Sequence, residues 1–202
     1  MFEKFRNRTV YIDGRNPAAS EILARRLNHC IRNIQRNWRD LVCLCIGSDR
    51  ITGDSLGPLV GGELFRRKAP GIYVYGTLEH PVHALNLEEH LADLALWHPR
   101  ALVIAVDASL GCSRHQQHIS VGCGSIRPGA GAGKSLPDVG DIFITGIVSS
   151  FDRNSHRELQ AVDFSNVLHL AGVISQGIAA ASVKVPGDRK SCSPAGSSFS
   201  YL

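Results

Sequence analysis

Residues 41–60, LVCLCIGSDRITGDSLGPLV, run an apolar segment straight into a turn of small polar residues and then into a second apolar segment. Leu41 to Ile46 is a short unbroken apolar run, the pattern of a strand buried on both faces of a parallel sheet. Gly47 ends it. Gly53-Asp54-Ser55 then supplies a helix N-cap just ahead of Leu56, and Pro58 fits the first helical turn, whose N–H groups lack internal partners. A strand, a turn and a helix in this order place Asp54 at the C-terminal edge of a sheet, beside a helix N-terminus, where open α/β sheets bind ligands. Ser48 and Asp49, in the same turn, are candidates for substrate binding.

A second carboxylate stands in a similar place. Ala101 to Val106 is another buried-strand run, ending at Asp107 and followed by Ala108, Ser109, Leu110 and Gly111. An aspartate before a helix is by itself only a cap, and one that ends a strand only a turn residue. On neighbouring parallel strands the two would emerge together. Close, partly desolvated carboxylates cannot both ionise easily, so one proton is retained and the pair can act as acid and base at once. Such a pair can split water across a carbonyl, which makes Asp54 and Asp107 the candidate catalytic residues and Ser109 a candidate substrate contact.

Outward from these strands, helical and strand patterns alternate. Ile22, Leu23, Leu27, Ile31, Ile34 and Trp38 fall at helical spacing, with Arg25, Arg26, Asn33 and Arg36 among the positions left outward. Leu56 to Lys68 gives the next helix, Ile72 to Tyr75 a strand, and Asn86 with Glu89 a capping-box-like start to a helix reaching Trp97. Gln117 to Gly122 and Ile142 to Val148 read as strands without a helix between them, and residues 160–181 carry the last helix. The alternation predicts right-handed crossovers and an α/β fold around a mainly parallel, twisted sheet. Residues 1–16 read as an irregular arm. Residues 1–184 form one expected domain, and residues 185–202, rich in Ser, Pro and Gly, an expected disordered tail.

Composition narrows the function. A chain of 202 residues with 44% hydrophobic content can bury one sizeable core, and a net charge of +4 without a dense basic block argues against nucleic-acid binding. Six cysteines at irregular spacing contain no C-x-x-C pair, and no stretch of about twenty residues is apolar enough to span a bilayer. The charged N-terminus has no apolar core for a signal peptide, so a reducing cytoplasm is the expected location.

The loop Arg127-Pro128-Gly129-Ala130-Gly131-Ala132-Gly133-Lys134-Ser135 imitates a phosphate cradle but fails on spacing, because Pro128 stands where the first glycine of a P-loop belongs. Its glycines instead suit a tight turn beside the carboxylate edge, with N–H groups free to hold a peptide or an oxyanion; Arg127, Gly129, Gly131 and Lys134 are its candidate substrate-binding residues. His80 and His83 flank Pro81, and His115 and His118 lie in a polar loop; neither pair gives the three or four converging ligands zinc needs. No cofactor or metal is expected. Ser109 lacks the G-x-S-x-G elbow of a nucleophilic serine.

The segments IGSDRITGDSLGP (Ile46 to Pro58), VIAVDASLG (Val103 to Gly111) and GSIRPGAGAGKSLPDVGDIFITGIV (Gly124 to Val148) resemble the YyaC-type sporulation proteins, relatives of the spore germination protease. The resemblance implies a three-layer αβα fold of the phosphorylase/hydrolase-like kind and an acid-dependent endopeptidase. It places that enzyme's two motif aspartates at Asp54 and Asp107. Where the germination protease carries an arginine soon after its second aspartate, this chain has Gly111 and Cys112 before Arg114. A more distant similarity runs to the hydrogenase-maturation endopeptidases, whose acidic residue in the first turn also falls on Asp54. The expectation is a cytoplasmic, forespore or spore-core endopeptidase acting on a protein or peptide substrate, with the oligomeric state left open. The alternatives are a non-catalytic relative that binds a protein partner and a metal-dependent maturation-type peptidase.

Overall fold

The computed structural model describes residues 9–129, 136–150 and 162–181. Six strands form one mixed sheet in the order β1-β5-β6-β4-β2-β3: β1 Val10–Asp13, β2 Asp40–Cys45, β3 Ile72–Tyr75, β4 Ala101–Gly111, β5 His118–Cys123 and β6 Ile142–Ser150. The pairs β4–β6, β2–β4 and β2–β3 are parallel, whereas β5 runs antiparallel to both β6 and β1. The four described helices are α1 Ala19–Asn33, α2 Leu56–Arg66, α3 Leu87–Trp97 and α4 Phe164–Ala180.

Alternation along the strands decides which helices lie where. Leu41, Cys43 and Cys45 of β2 join Leu102, Ile104 and Val106 of β4 and Ile142 and Ile144 of β6 in a core roofed by α1, α2 and α4. The intervening residues Val42, Leu44, Ala101 and Ala105 face the other way, beneath Leu87 and Leu94 of α3 and Ile126, Leu136 and Val139 of the β5–β6 connection. The sheet is therefore covered from both sides, as unbroken apolar β2 requires. No described helix is long and apolar enough to cross a membrane.

Several expectations change. Val10–Asp13, read as part of an irregular arm, is an edge strand on β5, because Ile12 fills the core while its neighbours are only half-covered or exposed. The first helix ends at Asn33; Trp38 is buried beyond it, and Arg36 reaches back to the Ala101 carbonyl and the Asp141 carboxylate, both at 2.5 Å. Asn86 does not cap α3: its Oδ1 accepts from the His83 N–H and its Nδ2 donates to the Pro81 carbonyl, bracing the preceding loop. The strand thought to stop at Asp107 continues to Gly111, since β6 accompanies it that far. The C-terminal tail lies outside the described residues.

Close packing of α2 against the end of β3 depends on glycine. A methyl group at Gly61 would lie 1.8 Å from the Gly76 carbonyl oxygen, whereas one at Gly62 would meet nothing within 4 Å. Gly61→Ala and Gly62→Ala should move stability in opposite directions. The first forces two backbones apart and should cost about 3 kcal/mol; the second removes unfolded-state freedom from a helical position and should gain up to about 1 kcal/mol. Urea denaturation of the two variants checks this, and equal shifts would contradict the close approach.

Candidate functional site

Strand β2 is shorter than its neighbour. The pairing of β2 with β4 ends at Cys45 opposite Val106, with a last hydrogen bond from the Ile46 N–H to the Val106 carbonyl at 2.7 Å. Asp107 is the next residue, where β4 projects past the end of β2. The space is taken by the turn after Ile46, which is folded back on itself: the Gly47 N–H donates to the Val82 carbonyl at 2.8 Å and the Ser48 N–H to the Asp54 carbonyl at 3.1 Å. Gly47 has φ +146°, and a side chain there would lie 2.0 Å from the Asp54 carbonyl oxygen. Only glycine lets the turn close in this way.

Thr52–Ser55 then forms a single 3-10 turn against β4, and α2 follows with Ser55 at its N-cap. Ser55 gives no side-chain cap and donates instead to the Thr52 carbonyl at 2.7 Å. Leu56 seats the start of α2 on β6, where a methyl group at Gly146 would lie 2.3 Å from the Leu56 Cδ2. The half-buried Asp54 is thus carried to the flank of β4 beside Asp107.

Asp107 is 8% exposed. Its Oδ1 accepts from the Ala108 N–H at 2.8 Å, and its carboxyl also accepts from the Gly129 N–H. Two donors favour the charged form, yet burial first and the Asp54 negative charge second outweigh them and push the Asp107 pKa up to about 8. At pH 7 the side chain is mostly protonated. A buried acid holding its proton beside an ionised one is equipped to give a proton while its partner takes one.

A row of hydroxyls lies on the same face. Thr145 pairs with Asp107 across β4–β6 and with Ser120 across β5–β6, and its Oγ1 lies 3.1 Å from Ser109 Oγ and 2.6 Å from Ser120 Oγ. Ser109 is therefore near Asp107 as expected, but its hydroxyl donates to Thr145. Ser120 and Thr145 were missed from sequence. Each interrupts an apolar strand at an alternate position, which marks a polar stripe, but the register that joins the stripes is not visible in the chain alone.

The other expected contacts divide. Gly129, with φ +67°, turns its N–H to Asp107 itself rather than leaving it for a substrate. Arg127 is held by Asp138 across the base of the same loop at 3.0 Å, with both side chains exposed. Ser48 Oγ accepts from the Arg50 N–H at 3.1 Å, bracing the turn, and Asp49 is exposed on it. Gly131 and Lys134 lie outside the described residues. Among the described residues no group of three or more His, Cys, Asp and Glu side chains is placed to hold a metal. His115 stacks on Tyr11 at 4.4 Å, and His83 Nδ1 accepts from the Leu85 N–H at 3.3 Å.

Comparison with known proteins agrees over most of this framework. The chain is 38% identical over 168 residues to the "Uncharacterized protein YyaC" of Bacillus subtilis (strain 168), covering 83% of this chain and 81% of that protein. A family model described as "Protein of unknown function (DUF1256)" matches residues 11–177, a span that takes in every described strand except the first residue of β1. With both carboxylates and the whole parallel core inside the matched span, the chain belongs to the DUF1256 family.

Proposed function

We propose that this protein is an endopeptidase in which Asp54 and Asp107 act as one proton-sharing pair on a peptide bond. The observation that carries the reading is the Asp107 carboxyl, buried where β4 runs past the end of β2 and raised to about 8 with the Asp54 charge as a contributing cause. A carboxylate whose role was only to accept from backbone N–H groups would be held ionised by them. In the proposed reaction the Asp54 carboxylate takes a proton from an attacking water while protonated Asp107 donates its own to the carbonyl oxygen. The charge that leaves one acid arrives on the other, so the site's net charge is unchanged through the addition.

The resemblance to the spore germination protease supports this choice of reaction, a three-layer phosphorylase/hydrolase-like fold, a sporulation role and cytoplasmic action, including the forespore and spore core. Small acid-soluble spore proteins are accordingly the substrates to try. They should be incubated with the purified chain between pH 5 and 9 and the products read by intact-mass spectrometry. Discrete fragments, with yield falling above about pH 8 as the shared proton is lost, are expected. Stable binding of the same proteins without fragments at any pH would support the non-catalytic alternative and reject the peptidase.

A further inference from the structure

Away from the carboxylates, two cysteines distant in sequence meet. Cys30, in the last turns of α1, is completely buried, and Cys123, the last residue of β5, is half-buried; their sulfurs lie 2.6 Å apart although 93 residues separate them in the chain. Both are free thiols. The other close pair among the described residues is different in kind. Cys43 and Cys45 are two apart on one face of β2, with sulfurs 3.6 Å apart, and both are fully buried with no route for a reagent. Cys112 is exposed, and its sulfur lies 3.3 Å from His115 Nδ1.

We propose that Cys30 and Cys123 form an oxidisable dithiol, a site for thiol–disulfide exchange with a low-molecular-weight disulfide that locks α1 onto the sheet. Cys123, the more accessible, attacks one sulfur of the disulfide as its thiolate and expels the other as a thiol. Cys30 then gives up its proton and attacks the Cys123 sulfur of the mixed disulfide, releasing the second small thiol. Two protein thiols become one S–S bond, and one small disulfide becomes two small thiols. Burial, and then the hydrogen bond with Cys123, push the Cys30 thiol up to about 12, so the closing step is slow at neutral pH and quickens as pH rises.

The bond would cross-link the fold without touching the carboxylate pair. Cys123 pairs with Ile142, which pairs with Ile104, three residues before Asp107 on β4 and so about 10 Å along the strand. The site is thus independent of the proposed peptidase. Its effect is on stability: closing a loop of this length restricts the unfolded chain, and melting should rise by roughly 10 °C.

The test is incubation of the reduced native protein with oxidised glutathione at pH 8.5, acid quench, alkylation, and tryptic mapping. The expected product joins peptide 27–32 to peptide 115–134, two hydrogen masses below their sum, with a higher melting temperature that Cys123→Ser does not gain. Recovery of Cys30 and Cys123 as alkylated thiols while Cys112 carries glutathione would overturn the proposal. So would a disulfide from Cys123 to any other cysteine. The mapping uses the unaltered chain and is decisive whether or not the variant folds.

Discussion

Asp107→Asn should lose about a thousandfold in peptide cleavage and, at pH 8, be more stable than the parent protein. The loss of cleavage follows from removing a general acid, whose contribution lies in the range of about 10²–10⁴. The stability change follows from proton linkage. Asp107 holds its proton up to about pH 8 in the folded protein but releases it near 3.8 when unfolded. From about pH 4 to pH 8 the native state therefore binds one proton more than the unfolded state. Stability then falls with rising pH by up to about 1.4 kcal/mol per unit through that window.

Asparagine cannot ionise, so it removes this slope. It offers the Ala108 and Gly129 N–H groups one acceptor oxygen where the carboxyl offers two, which should cost roughly 1 kcal/mol at every pH. The variant should be the weaker protein at pH 4 and the stronger at pH 8, with the two curves crossing between. Urea denaturation at several pH values gives the difference directly, since all other titrating groups are common to both proteins. Parallel curves would mean that Asp107 is ionised like any surface carboxylate, and the proposed acid would not exist.

How much of this was legible before the fold depends on the range of the interaction. Leu41–Ile46 and Ala101–Val106 announced buried parallel strands because an unbroken apolar run can be satisfied only between two covered faces. Asp107 was legible as the charge that directly follows such a run, and Asp54 as the carboxylate of the Gly53-Asp54-Ser55 turn ahead of the next helix. The relative lengths of β2 and β4 were not legible. Asp107 read as a strand end because the apolar residues stop there, whereas β6 carries the strand on by pairing with Ala108 to Gly111. The Gly129 N–H, the Arg127–Asp138 pair and the Ser109–Thr145–Ser120 row all require register across strands far apart in sequence, which composition and spacing do not encode. Val10–Asp13 was missed because four residues with one buried side chain carry too short a pattern to separate an edge strand from a loop.

Asp54→Asn tests the pair from its other side. Removing the Asp54 charge takes away the second cause of the raised Asp107 pKa and leaves the first, burial, in place. Carbon-detected NMR titration of the Asp107 carboxyl should therefore show its midpoint moving down from about 8 while staying above the ordinary 3.8. The window over which rising pH weakens the fold should narrow at its upper end by the same amount. Cleavage should fall by about 10³, because the group that takes the proton from water is gone. The fold should persist, since Ser55 and not Asp54 occupies the N-cap of α2. The pair also has a signature that two independent residues lack. Once either acid is removed the other has no partner with which to exchange a proton, so the Asp54→Asn, Asp107→Asn double variant should be little worse than either single one. Losses that multiply, or an Asp107 titration that ignores the change at position 54, would show two carboxylates that are neighbours but not one site.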